Sequence, residues 1–395
     1  MVKITEIASD GGDPNKKPQK EDNQNENTIQ QRVQNLPIDP PDDIVELILE
    51  LVERCDYPNL SCINKTFHRV VFSPELFERR SSLGRTEHFL YTFIGFPSFG
   101  IPRWYILHRR NNSLRLSMIG SLPPLIPGSA VVTIGHEIYI FGGKLNPLMP
   151  PVPIVIVIDC RFHTWRRLPD MKRARCHAAA GVVDGKIYVI GGCVKQGRNW
   201  IEVFDVSSEI WGTVPDHQYP RTASFDGVFG LSVVMEDKIY ILDRMCCLVY
   251  EPRRRRWESW GLGSQQRACW HWSSCVIDDM LYTIDPTRTL GYPILVFDPR
   301  DVVWRPVKGV GWSDLLNLAY FESRMANLGG KLVILGRSAS MYGWDYSYMD
   351  SDIWCIVIAL EKREDGEILG NVETRSRVLS CFMLPLIEHC RTVTV

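Results

Sequence analysis

The chain has 395 residues, 45% of them hydrophobic: enough for a large buried core, but too long for one undivided core. Lys and Arg number 45 against 46 Asp and Glu, and a formal net charge of -1 gives no support to nucleic acid or an anionic membrane as the main partner. No stretch approaches the ~18 apolar residues of a membrane span, no apolar signal core opens the chain, and the twelve cysteines include no Cys-x-x-Cys pair, which together read as reduced thiols in the cytosol or nucleus.

Residues 1–37 are polar, nearly free of aromatics and rich in Asn, Gln, Lys, Asp and Glu, the composition of a disordered tail. Residues 38–83 follow as a helical segment. Asp43 and Glu46 have the spacing of a capping box. Ile44, Val45, Ile48, Leu49 and Val52 recur at helical spacing, and Pro58 is expected to stop that helix. Leu60, Ile63, Phe67, Val70 and Val71 form a second stripe, and Ser73-Pro74 starts a third short helix. Leu47 and Leu51 widen the apolar surface of the first helix beyond one face. Three short helices can hardly cover that surface by themselves, so part of it is expected to meet another protein.

From residue 84 onward the period changes. Tyr139, Tyr188, Tyr240 and Tyr282 sit in short apolar runs at intervals of 49, 52 and 42 residues, and "KLVILG" continues the series with Val333 in the Tyr place. A second mark follows each run: Trp165, Trp211, Trp257 and Trp304, spaced 46, 46 and 47. Two independent markers with one period indicate a kelch-type array. The clearest unit reads as strands at 177–183, 186–191, 200–206 and 209–214, with Asp184-Gly185 as a two-residue hairpin. Ile187-Tyr188-Val189-Ile190 is apolar on both faces, so its sheet must be covered on both sides, as in a radial stack of four-stranded blades. Gly191-Gly192 ends that strand where one glycine takes a positive φ and neither presents a Cβ to the Trp of the next blade.

Five units start near Ser129, Cys176, Gly230, Trp270 and Arg324. Ahead of them, residues 87–96, 103–110 and 113–120 look like three strands lacking a first. "CRTVTV" (390–395) is a spare strand placed to supply it and close the ring. The expected architecture is a small all-α domain of three short helices, followed over residues 84–395 by an all-β propeller of six blades.

The phrases "PPDDI", "YPNLSCINKTFHRVVFSPELF", "LGRTEHFLY" and "IDCRFHTWRRLPDMKRARCHAAAGVVDGKIYVIGG" together resemble the plant F-box/kelch-repeat family over residues 38–395. Pro40 stands where the family pattern carries Leu. The resemblance implies that the F-box helices bind the Skp adaptor of a cullin–RING ubiquitin ligase. It implies further that the propeller selects the protein to be ubiquitinated, and that the chain is a non-catalytic subunit with no cofactor. Pro41, Ile44, Val45, Ile48, Leu49, Val52, Ile63 and Phe67 are the candidate adaptor contacts. For the unknown protein target, the long loop at 337–351 offers Tyr342, Trp344, Tyr346 and Tyr348, residue types that dominate binding hot spots. Arg173 and Arg175, in "MKRARC" between two units, are further target candidates.

Two readings compete. A propeller can carry a metalloenzyme of the galactose oxidase kind; His271 in "CWHWSS", near Cys269, is the best single candidate ligand, but nothing pairs with it at metal-ligand spacing. An F-box receptor holding a small metabolite in the central channel is the other. Arg253–Arg256 reads as a solvated turn between third and fourth strands.

Overall fold

The computed structural model describes residues 40–96, 100–110, 113–193, 200–214, 227–243, 246–260, 269–285, 287, 290–315, 318–338, 352–381 and 384–395. Four helices open it: α1 (Asp42–Leu51), α2 (Tyr57–Leu60), α3 (Lys65–Val71) and α4 (Pro74–Ser82), with a 3₁₀ turn at Arg54–Asp56. The expected capping box does not form, because Pro41 occupies the N-cap of α1 and no side chain caps it. Pro58 does not stop α1 either. That helix ends at Leu51, and Pro58 lies in the first turn of α2, where its missing N–H is harmless. Asn64 and Ser73 cap α3 and α4 by accepting from the N–H groups of Phe67 and Leu76.

Arg80 of α4 holds the end of α1. It is buried; its Nη1 donates to the carbonyls of Leu49 (3.2 Å) and Val52 (2.7 Å) and to the Tyr57 hydroxyl (3.0 Å). The last carbonyls of a helix carry partial negative charge and lack intrahelical donors, so a guanidinium satisfies both needs.

The strands form blades. β1 (His88–Gly95), β2 (Arg103–Arg110) and β3 (Ser113–Ile119) come first. Blade one holds β4 (Ala130–Ile134), β5 (Glu137–Phe141), β6 (Val155–Asp159) and β7 (Thr164–Leu168); blade two holds β8 (Ala179–Val183), β9 (Lys186–Ile190), β10 (Ile201–Asp205) and β11 (Ile210–Thr213). Blade three holds β12 (Phe229–Met235), β13 (Lys238–Asp243), β14 (Cys247–Glu251) and β15 (Arg256–Trp260); blade four holds β16 (Ser274–Ile277), β17 (Met280–Ile284), β18 (Ile294–Asp298) and β19 (Val303–Lys308). Blade five holds β20 (Arg324–Leu328), β21 (Lys331–Arg337), β22 (Ile353–Lys362) and β23 (Ile368–Leu379). β24 (Leu386–Thr394) returns to pair antiparallel with β1 and completes blade six in the order β24-β1-β2-β3. Blades four and five join at their rims, where β19 and β23 run parallel, so the described residues form four four-stranded sheets and one eight-stranded sheet.

The first strands β24, β4, β8, β12, β16 and β20 each touch the next and β20 touches β24, which closes a six-membered ring. Buried apolar clusters fill the spaces between successive blades. Trp211 shows how: its ring meets Phe204 of its own blade at 5.0 Å and Phe141 of blade one at 6.0 Å, and its Nε1 donates to the Pro169 carbonyl at 2.8 Å. Trp165 is different; the corresponding ring on β7 is half exposed.

Asp184-Gly185 has positive φ at both residues, as a type I′ hairpin requires, and Glu236-Asp237 and Asp278-Asp279 repeat it. At the ends of β9 and β5, both glycines of each pair are left-handed, not one. What approaches them also differs from expectation. A Cβ on Gly142 would strike the Arg175 carbonyl, and one on Gly191 the Phe229 ring and the Gly227 carbonyl. At Gly142 the backbone leading into the next blade demands glycine, and at Gly191 such backbone together with the Phe229 ring does; at neither is it the Trp of that blade.

Candidate functional site

Propeller geometry sorts the loops. β4 runs down the channel wall and β5 returns, so the tight turns after first strands share one face with the turns after third strands. The longer connections after second strands, and those between blades, share the other. The helical domain sits on the face of the tight turns. It contacts residues 160–163, the turn between β6 and β7, and it joins β1 at its lower end through residues 83–87. β21 ends at Arg337 on the opposite face.

On the helical domain α1 carries two apolar stripes. Val45 and Leu49 point inward and are fully buried with Phe67, Val70, Leu76 and Phe77. Ile44, Leu47, Ile48 and Leu51 follow the i, i+3, i+4, i+7 spacing of a second face and are 44%, 48%, 41% and 69% exposed. Ile63, also in the open, is 58% exposed. Val45, Leu49 and Phe67 are therefore core residues and not contact candidates, which corrects the sequence reading. Pro41 is exposed and Val52 half-buried. Leu47 and Leu51 belong to the exposed stripe; the sequence showed their spacing but not which of two faces turns inward.

The six first strands line the central channel, around a cavity of about 570 Å³ that reaches Gly329-Gly330 at the tight-turn end. At the other mouth, on the face opposite the helical domain, stand His177, Trp272, Arg324 and Glu388, around a second cavity of about 270 Å³. Trp272 is 55% exposed. Sequence reasoning passed over it because its phrase, "CWHWSS", drew attention to His271. Arg324 donates to the carbonyls of Glu388 (3.1 Å) and Ser323 (2.8 Å). Burial holds the His389 imidazole well below the usual range, at about 3, with Arg391 and Arg324 adding to the effect. Burial likewise lowers the Arg391 guanidinium.

Tyr342, Trp344, Tyr346 and Tyr348 lie outside the described residues. Arg175 is a correction: it is completely buried, its Nη2 donates to Glu202 at 2.9 Å, and its Nη1 donates to the Trp200 carbonyl at 2.9 Å. Glu202 also accepts from the N–H groups of Lys172 (2.6 Å) and Arg173 (3.0 Å). This pair locks the connection between blades one and two and presents no charge to a ligand. The Arg173 side chain is half-buried.

Arg253 forms ion pairs with Asp184 and Asp237, tying exposed turns of blades two and three. All twelve cysteines are free, and eight are buried. Among the described residues no three His, Cys, Asp or Glu side chains come together as a metal site, and no helix is long and apolar enough to cross a membrane.

The sequence model of the F-box domain matches residues 41–79, and that of the FKB95, Kelch-repeats domain matches residues 104–379. An Arabidopsis thaliana F-box/kelch-repeat protein is 48% identical over 399 residues, covering all of both chains. An F-box/LRR-repeat/kelch-repeat protein of the same plant is 46% identical over 402 residues, and a kelch repeat-containing protein 44% over 419, again covering both chains fully. With helices and blades in the places these matches assign, the chain belongs to the plant F-box/kelch-repeat family.

Proposed function

We propose that this chain is the substrate-recognition subunit of a Skp–cullin–F-box ubiquitin ligase. An F-box joined to kelch repeats supports a substrate-recognition role in ubiquitin ligation in general terms. The finer reading assigns the Skp adaptor to Ile44, Leu47, Ile48, Leu51 and Ile63, and the target protein to the channel mouth around Trp272, His177 and Arg324 together with the loop carrying Tyr342, Trp344, Tyr346 and Tyr348.

One observation carries it: the exposed stripe of α1 belongs to a domain on the face opposite the long loops. Adaptor and target then bind without competing for space. Four large apolar side chains in one stripe of a soluble-sized helix are a docking surface in need of a cover. An aromatic ring in the open at a concave mouth, beside a cation and an imidazole, is suited to anchoring a protein segment.

The test is direct binding of a purified plant Skp adaptor to the full chain. Capture by the parent and loss in Ile48→Asp, with the melting temperature retained, supports the assignment. Equal capture by both proteins would move the adaptor to another surface.

A further inference from the structure

A cavity of about 470 Å³ lies where the F-box meets the propeller, within the ~300–1,000 Å³ range usual for small-molecule sites. Both domains build it. Tyr57, Phe72 and Phe77 come from the helices; Phe89, Ile106 and Phe162 come from blades six and one. Its polar lining is one-sided: Arg54, Arg161, His108 and His163 line it, and among the described residues no Asp or Glu does.

The charges are unequal in availability. Arg161 is paired with Asp159 at 2.8 Å. His163 is neutral, because burial first and the Arg54 charge second push its imidazole down to about 4. Arg54 remains. Its guanidinium lies 5.0 Å from the centre of the Phe89 ring, and Nη2 donates to the carbonyls of Arg161 (2.7 Å) and Cys160. Nη1 is buried with no hydrogen-bond partner, and among the described residues Arg54 makes no ion pair. Arg54 as a whole is half-buried, but its Nη1 is shielded from solvent, and shielded donors ordinarily find acceptors because leaving one unmet is costly.

We propose that this junction cavity binds a small amphipathic carboxylate, with a ring-bearing apolar body among the phenylalanines and the carboxylate on Arg54. Such a ligand supplies the counter-charge that Arg54 lacks among the described residues. The aromatic walls take an apolar ring by face and edge contacts. Since both domains contribute wall, occupancy also favours the orientation in which F-box and propeller are docked. This site is separate from the central channel and does not depend on the identity of the protein target.

The experiment is isothermal titration of the full chain with 2-naphthoate, against 2-naphthamide, the same ring system without the charge. The expected result is one naphthoate per chain, bound at least about tenfold more tightly than the amide. Ser117→Trp fills the cavity from β3, on a strand position that tolerates an aromatic, and is expected to weaken naphthoate by at least about tenfold. No detectable binding at about 1 mM, equal affinity for acid and amide, or unchanged binding in a folded Ser117→Trp would each overturn the proposal. The acid–amide comparison needs only the parent protein and decides the matter if the variant does not fold. Adaptor capture measured on the same preparation fails or succeeds independently, so the ubiquitin-ligase reading is tested apart from this one.

Discussion

Arg54 of the F-box donates from Nη2 to the backbone carbonyl of Arg161 in blade one at 2.7 Å, across the boundary between the two domains. Around this bond, Phe77 of α4 meets Phe162 edge-on at 5.4 Å, and the Arg54 backbone N–H donates to Glu87 at 3.0 Å. The F-box is thus seated on the propeller and not suspended from a linker. Arg54→Met keeps much of the apolar stem and removes the donors. It is expected to cost about 2–4 kcal/mol at the junction, the scale of charged hydrogen bonds lost from a partly buried site. Hydrogen exchange checks it: α1 to α4 lose protection while the strands of blades two to four keep theirs. Uniform protection in the variant would mean the junction is held by the aromatic contacts alone.

The two faces of α1 separate folding from binding. Val45→Asp places an unpaired carboxylate in the F-box core and is expected to unfold the helical domain, at a cost of several kcal/mol. Ile48→Asp places the same group on the exposed stripe, where solvent reaches it, and should change stability by no more than about 0.5 kcal/mol. Circular dichroism at the helical band distinguishes them. Equal loss of helix in both would contradict the inward and outward assignment.

Closure of the ring rests on the last strand. β24 pairs with β1 from His88↔Thr394 to Gly95↔Leu386, Arg391 donates to the Val131 carbonyl of β4 at 3.2 and 3.1 Å, and Val395 exchanges backbone bonds with Glu87. Deleting residues 391–395 leaves blade six without half of its inner strand. The expected outcome is a lower melting temperature for the whole propeller and aggregation through the exposed edge. Unchanged melting and a monomeric elution profile would argue that the ring is closed by packing between blades instead.

Acid should loosen the junction. His163 has a folded pKa of about 4, below its ordinary 6.5, because burial and the Arg54 charge favour the neutral ring. The unfolded chain therefore binds the proton more readily. Stability from this group is complete above about pH 6.5 and is lost as pH falls toward 4. His389, held at about 3, acts in the same direction from the channel. His163→Asn suits the left-handed backbone at this position (φ 53°). It is expected to reduce the acid-dependent loss between pH 7 and 4.5 by on the order of 1–2 kcal/mol. Parallel stability–pH curves for parent and variant would contradict the assignment.

Much of this architecture is legible in the sequence because a propeller repeats its own signals. The Tyr and Trp markers, the Asp-Gly and Glu-Asp hairpins and the spare C-terminal strand each report the same unit, so errors in one are corrected by the next. The F-box was less legible. Val45, Leu49 and Ile44, Ile48 share one helical period, and periodicity alone does not say which of two adjacent apolar stripes meets the core. Burial decides it, and burial depends on α3 and α4 packing from one side. Arg175 misled for a related reason. An arginine in an inter-blade connection looks exposed until Glu202, 27 residues later, is brought beneath it by the return of β10. Nor did the sequence hint at the junction cavity, whose walls come from residues between Arg54 and His163 with no shared spacing.

On the proposed function, one face of this chain engages a ubiquitin ligase while the opposite face holds its target. Affinity capture from plant cells with the proteasome blocked, followed by quantitative mass spectrometry, tests it in one measurement on the parent, Ile48→Asp and Trp272→Ala. The expected result is Skp and cullin with the parent, loss of both with Ile48→Asp while a set of further proteins stays bound, and the reverse with Trp272→Ala. Retention of Skp and cullin by a folded Ile48→Asp, or their absence from the parent, would contradict it.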